Sequence, residues 1–178
     1  MNKQTLRQLI RERKGQHTAE ALWGFSQSIT RSLLERIENE DGIRTILLYH
    51  SLPDEVNTHD LIRTLYAQGK TIILPTVSGE DLTLHIYEGE SSLATGTSYG
   101  IQESIGPLFT DYASIDLALI PGMAFTLMGD RLGRGKGHYD RLLPRLSCPF
   151  IGLAFPFQIV PHIPTEKHDI RMTDVVTV

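Results

Sequence analysis

Residues Asp116 to Arg141 read DLALIPGMAFTLMGDRLGRGKGHYDR. The stretch opens on an apolar run, Leu117 to Ile120, closed by Pro121 and Gly122. A short apolar run bounded by turn residues predicts a buried strand. In the segment Gly129 to Arg141 that follows, Gly129, Gly133, Gly135 and Gly137 are interleaved with Arg131, Arg134 and Lys136. Glycine lets the backbone adopt positive φ and approach a ligand closely. Successive exposed N–H groups in such a loop form an anion-binding nest, and a helix starting at its end adds a favourable dipole. Strand, glycine loop and helix in this order predict an α/β sheet that binds a polyphosphate beyond the carboxyl end of a strand.

Working outward, the same alternation covers most of the chain. Asn2 to Lys14 has helical spacing, with Leu6, Leu9 and Ile10 on one face and Lys3, Arg7 and Arg11 on another. Gly15 ends it, and Thr18 is a suitable N-cap for a second helix over Ala19 to Glu38, which carries Leu22, Trp23, Phe25, Ile29, Leu33, Leu34 and Ile37. Thr45 to Tyr49 is a strand, Ser51 to Asn57 a polar loop, and Thr58 to Gln68 a helix closed by Gly69. Thr71 to Leu74 is a strand ended by Pro75, and Leu82 to Tyr87 alternates in the β pattern. Glu88 to Gly106 reads as loop, Gly137 to Leu146 as helix, and Phe150 to Ala154 and Val175 to Val178 as the last strands. The expected fold is a single α/β domain over residues 1–178, three-layered, with a mainly parallel sheet flanked by helices on both faces. Its ligand loops are then those after Tyr49, Leu74 and Ile120.

The bulk numbers set limits. A length of 178 residues is enough for one substantial core. Forty per cent hydrophobic and 21% charged residues are ordinary for a soluble globular protein. A formal charge of −4 argues against nucleic acid as partner, because such binders carry a basic excess. No apolar segment approaches bilayer length, and the N-terminus lacks a signal-type apolar core, so a cytoplasmic protein with no membrane partner is expected. The single cysteine, Cys148, precludes an internal disulfide or a cysteine metal cluster and reads as a small core residue.

The glycine segment matches neither common phosphate fingerprint. Walker A requires glycine five residues before the Gly-Lys pair, where this chain has Asp130, and Ser or Thr after it, where it has Gly137. The dinucleotide motif G-x-G-x-x-G is replaced by G-x-G-x-G, late in the chain. Among the candidate side chains, Asp54 and Glu55, in the loop that begins at His50, stand at a strand's carboxyl end, as substrate contacts or as a solvated turn. Asp140 is suited to a Mg²⁺ bridging phosphates or to a helix first turn. Asp169 could complete that metal site only if its loop folds back over the glycine segment. The row Lys3, Arg7, Arg11 is a solvated face or a nucleotide contact. The seven histidines show no metal-ligand spacing, and no nucleophile elbow is present. The chemistry expected is transfer organised by positioned charge.

Taken together, Asp116-Leu117, Ile120 to Phe125, Arg131 to Gly137 and Tyr139 to Arg141 resemble the signature of the 5-formyltetrahydrofolate cyclo-ligase family. Further marks run collinearly along nearly the whole chain: Lys3, Leu6 and Arg7; Glu55; Gly69, Lys70, Leu74 and Pro75; Tyr99, Gly100, Ile101 and Glu103; and His168-Asp169 before a final V-V-T strand. Two positions depart from the family pattern, Thr126 where Asp is usual and His138 where Tyr is usual.

The resemblance implies ATP-driven closure of 5-formyltetrahydrofolate to 5,10-methenyltetrahydrofolate, with ADP and phosphate released. It moves Lys3 and Arg7 from solvated face to ATP ligands. They join Arg131, Gly133, Arg134, Gly135, Lys136, Gly137 and Tyr139 in the expected ATP site. Arg134, Lys136 and Tyr139 are the expected catalytic residues, and His50, Glu55, Tyr99 and Tyr139 the expected folate contacts. Asp140 and Asp169 are the expected Mg²⁺ ligands. The partners expected are small molecules acting on a monomer. A folate- or nucleotide-binding protein without turnover and a sugar-phosphate isomerase or acyl-transfer enzyme are the rival readings.

Overall fold

The structure is a computed structural model that describes residues 1–96 and 102–178. In chain order its elements are α1 (Lys3–Gly15), α2 (Ala19–Asn39), β1 (Thr45–Leu47), α3 (His59–Ala67), β2 (Thr71–Ser78), β3 (Asp81–Ile86), β4 (Leu93–Thr95), β5 (Gln102–Ser104), β6 (Leu108–Phe109), β7 (Leu117–Ile120), β8 (Ala124–Phe125), β9 (Arg131–Leu132), α4 (His138–Leu142), β10 (Phe150–Leu153) and β11 (Asp174–Val176). Seven strands form one sheet in the order β11-β10-β7-β1-β2-β3-β6. Its β11-β10-β7-β1-β2 portion is parallel, and β3 and β6 are added antiparallel.

The two faces of the sheet follow from the two-residue period of its strands. Ile46, Leu48, Leu117, Leu119, Ile151 and Leu153 face α2 and α3, which present Ile29, Leu33 and Ile37, and Leu61, Ile62 and Leu65. Leu47, Ala118 and Ile120 face the opposite way, against Leu142, Leu143 and Leu146. Helix α2 starts where its sequence predicts, with the Thr18 hydroxyl accepting the Ala21 N–H. Trp23, read as part of its apolar set, is instead about half exposed. Helix α1 does not cover the sheet. Its Leu6 and Ile10 pack on Met123, Ala124 and Leu132 of the β8–β9 ribbon and on Val160 and Ile163.

Several expected boundaries are corrected. Strand β2 runs on through Pro75 to Ser78. The alternation set by Tyr87 N–H to Ile72 O, and Leu48 N–H to Ile73 O, turns Pro75 away from β3 and toward the side where β1 has already ended. The missing N–H therefore costs no ladder bond. The region read as loop from Glu88 to Gly106 contains the hairpin pair β4–β5. Helix α4 is a single short turn, tightening into a 3-10 turn over Leu143–Arg145 with Pro144 inside it, rather than a helix to Leu146. Its dipole is correspondingly small.

The chain leaves β1 toward β2 on one side and later returns through β7 to β10 on the other. The two connections diverge at the carboxyl ends of β1 and β7. At such a point a doubly wound sheet opens a crevice.

Candidate functional site

A cavity of about 360 Å³ lies there, within the usual range for small-molecule sites. The loop after β1, the glycine segment, α1 and the loop before β11 each contribute to its wall.

The β1 loop is shaped by its own polar side chains. The Ser51 and Thr58 hydroxyls accept each other's backbone N–H, at 3.0 and 3.2 Å, and the Thr58 hydroxyl donates to Tyr49 O. Within that loop the Glu55 N–H donates to Leu52 O, while Glu55 Oε2 accepts the Leu52 N–H at 2.9 Å. This reciprocal turn aims the other carboxylate oxygen into the cavity. Burial pushes the Glu55 carboxyl above its ordinary value, against the Leu52 N–H and the Arg134 charge that favour the anion. His50 stacks on His59 with ring centroids 3.8 Å apart. Burial and the neighbouring His59 lower its pKa to about 4, so it is a neutral imidazole at neutral pH.

The glycine segment is held from both sides. Arg7 Nε donates to Gly133 O at 2.8 Å. Gly135 has φ +108 and faces the Arg7 guanidinium, whose Cζ would lie 3.5 Å from any added Cβ. The three cations interleaved with these glycines have different surroundings. Arg131 is buried, with Nε donating to Pro121 O at 2.8 Å, Nη1 at 3.5 Å from Asp140, and its guanidinium over the Tyr139 ring. It is built into the wall. Arg134 stands at the rim, with Nη2 2.6 Å from Asp54 and 3.1 Å from Glu55. Lys136 also lines the cavity. Tyr139 lies in the same wall, and its burial pushes the phenol well up, so it is a neutral hydroxyl.

The C-terminal loop does fold back over the glycine segment. Asp169 Oδ2 accepts Lys3 Nζ and the Glu166 N–H, both at 2.8 Å, and Glu166 is 3.3 Å from the same ammonium. Asp140 and Asp169 thus line one cavity. No group of three or more His, Cys, Asp or Glu suited to a metal occurs among the described residues. Two carboxylates, each already beside one cation, suit an ion that takes most of its oxygens from a bound phosphate or water.

His50, Glu55, Lys3, Arg7, Arg131, Gly133 to Gly137, Tyr139, Asp140 and Asp169 therefore all line the cavity. Tyr99 lies outside the described residues. Sequence reasoning missed Pro121, Gly122, Val77, Glu166 and His168. Val77 follows from β2 continuing past Pro75, and its N–H donates to Glu103 Oε1 at 3.1 Å. The two departures separate. His138 lines the cavity, and burial, Arg141 and Lys136 lower its pKa, moving its titration away from neutrality. Thr126 is buried in the ribbon turn, where its hydroxyl accepts the Asp130 N–H at 3.0 Å. Cys148 lies half-buried against the core, its thiol pushed up to about 11 by burial, which keeps it protonated and unreactive.

Comparison with known proteins follows the same line. The sequence profile described as the 5-formyltetrahydrofolate cyclo-ligase family matches residues 1–178. The chain is 31% identical to 5-formyltetrahydrofolate cyclo-ligase of Mus musculus, covering 98% of this chain and 92% of that one. It is 31% identical to the Haemophilus influenzae protein of the same name, covering 98% and 96%. Its fold superposes on the solved 5,10-methenyltetrahydrofolate synthetase of Aquifex aeolicus with a TM-score of 0.85 at 30% identity, covering 99% of this chain and 90% of that one.

Proposed function

The chain belongs to the 5-formyltetrahydrofolate cyclo-ligase family and is a ligase of folate one-carbon metabolism, and on that premise we propose that it uses ATP to close 5-formyltetrahydrofolate to 5,10-methenyltetrahydrofolate. ADP and phosphate are the other products. One observation carries this reading: the glycine segment, the α1 cations and the strand-end acid Glu55 converge on a single cavity at the sheet's switch point.

A formamide oxygen is a poor leaving group. The formyl oxygen attacks the γ-phosphorus, and the bond to the β-phosphate oxygen breaks, releasing ADP. The neighbouring folate nitrogen then adds to the formyl carbon and loses its proton, and the carbon–oxygen bond breaks to free phosphate. The protein contributes position and charge. Lys3, Arg7, Arg134 and Lys136, with the N–H groups of Gly133 to Gly137, hold the phosphates. Arg131, fixed in the wall, contributes its charge from behind Tyr139 and Asp140. Glu55 accepts hydrogen bonds from the pterin edge, and the family resemblance adds His50 and Tyr99 as folate contacts. Tyr139, a neutral hydroxyl, lies near the reacting formyl group. Asp140 and Asp169 would hold Mg²⁺, which supplies charge neutralisation between phosphate oxygens when bound.

The reading takes the enzyme as a cytoplasmic monomer acting on small molecules. No helix among the described residues is long and apolar enough to cross a membrane. The test is near-ultraviolet absorbance of purified protein with 5-formyltetrahydrofolate and Mg²⁺, with and without ATP. Growth of the methenyl chromophore only with ATP is expected. Folate binding without ATP-dependent turnover would overturn the reading in favour of a binding protein. The site assignment is tested by Lys136→Ala, which removes a charge-assisted phosphate contact and should weaken ATP binding by about 1.5–3 kcal/mol. Unchanged ATP affinity would sink it.

A further inference from the structure

The loop after β1 carries a second acid, Asp54, for which the reaction as derived has no use. It is half-buried, and both its oxygens are taken. Oδ1 is 2.6 Å from Arg134 Nη2, and Oδ2 is 2.6 Å from Lys14 Nζ. Asp54 thus bridges the end of α1 to the glycine segment. Its burial favours the neutral acid, but the two cations outweigh that and hold the carboxyl below its ordinary value. It is therefore a firm anion.

The grip on Arg134 is unequal. The guanidinium lies 2.6 Å from Asp54 but 3.1 and 3.4 Å from Glu55 Oε1. Asp54 is the anchor, and Glu55 is covered because Arg134 is anchored next to it. The other Glu55 oxygen already accepts the Leu52 N–H. The oxygen under Arg134 is thus the one available to a ligand. Arg134 is 42% exposed, with solvent beside it at the rim, while Glu55 is 12% exposed and held by the Leu52 N–H.

We propose that Asp54 is a positioning residue that parks Arg134 over Glu55, so that nucleotide and folate must each break the same ion pair and each favours binding of the other. The proposal rests on the function proposed above, in which Arg134 meets phosphate and Glu55 meets the pterin. Phosphate draws the guanidinium off Glu55 and uncovers the carboxylate. A folate edge seated on Glu55 displaces the guanidinium toward the phosphate site. Whichever ligand arrives first breaks the pair, and the second does not have to. That is positive coupling, and it is reciprocal.

The experiment is calorimetric titration of the whole protein with a non-hydrolysable ATP analogue plus Mg²⁺ and with 5-formyltetrahydrofolate, each alone and each with the other saturating. Wild type is expected to show each ligand tightening the other by about fivefold, the scale of a partly exposed ion pair. Asp54→Asn should bind nucleotide more tightly on its own and bring the coupling factor close to one, and Asp54→Glu should restore it. Lys14→Met cuts the other arm of Asp54 and should keep the coupling. A merely structural Asp54 would alter affinities without altering their ratio, so an unchanged coupling factor in Asp54→Asn overturns the proposal. Should that variant fail to fold, wild type alone decides: coupling that does not weaken as salt is raised overturns it, because a rim ion pair is screened. Wild type that binds both ligands and turns over with a coupling factor of one overturns this proposal and leaves the function standing. Wild type that binds neither ligand overturns both.

Discussion

Lys3 Nζ lies 2.8 Å from Asp169 Oδ2, joining the first helix to the last loop across 166 positions of chain. Both side chains are mostly buried, and Asp169 also caps the Glu166 N–H. Both residues line the cavity.

Breaking it should be measurable as stability in ligand-free protein. Asp169→Asn is expected to cost about 1 kcal/mol, more than an exposed pair and less than a fully buried one. Burial opposes the Asp169 anion most strongly, yet the Lys3 bond, the Glu166 N–H and the nearby positive charge together outweigh it, and the folded carboxyl sits below its ordinary value. A depressed acid contributes stability that is complete above its unfolded pKa and lost as pH falls through the folded one. The difference between wild type and Asp169→Asn in thermal unfolding should therefore be full at neutral pH and shrink below about pH 4. A difference that persists undiminished into stronger acid would show that the pair is not its source.

Glu55 predicts an acid limb for folate binding. Burial raises its carboxyl, and only the anion accepts hydrogen bonds with both oxygens. Folate affinity should fall with decreasing pH through a value above that of an ordinary glutamate. Arg134→Met removes a charge that favours the anion, so this limb should move to higher pH. Glu55→Gln should abolish the limb and weaken binding by about 1.5–3 kcal/mol. An unmoved limb in Arg134→Met would assign it to another group.

Thr126 separates turn stability from catalysis. Its hydroxyl is buried and accepts the Asp130 N–H at 3.0 Å. Thr126→Val should destabilise by about 1 kcal/mol and leave kcat/KM as in wild type. Denaturant midpoints and steady-state rates measure the two halves. Loss of kcat/KM with an unchanged midpoint would bring Thr126 into the site.

Gly129 is a backbone requirement. Its φ is +94, and an added Cβ would lie 2.4 Å from Met172 O. The Met172 N–H donates to Gly129 O at 2.8 Å, so the two strands of chain cannot part to make room without losing that bond. Gly129→Ala should cost about 2 kcal/mol or more in chemical denaturation. A loss under about 0.5 kcal/mol, within the range of ordinary surface changes, would show that the approach relaxes freely.

The parts of the fold that were readable are those whose signal is local. Helix α2 repeats its apolar residues at Ile29, Leu33 and Ile37 behind a Thr18 cap, and β7 is an unbroken buried run. The two-residue strands β8 and β9 are too short to show a period, although they support α1 and the glycine segment. Pro75 looked like a stop because its missing N–H is visible in the sequence, whereas the direction that N faces depends on where β1 ends. Arg131 and Arg134 were indistinguishable as basic residues of one loop. One is buried against Pro121 O, and the other stands at the rim on Asp54.

Residue pattern alone was therefore sufficient for the α/β class, the glycine-rich segment that follows β7 and the family resemblance, because periodicity, turn chemistry and motif spacing are properties of neighbours in the chain. Packing alone decided that Lys3 and Asp169 meet, that Arg131 is wall and Arg134 is rim, and that Asp54 stands between Lys14 and Arg134. Those relations join residues that are distant in sequence. They exist only once α1 has docked on the β8–β9 ribbon and the sheet has brought the ends of β1 and β7 together.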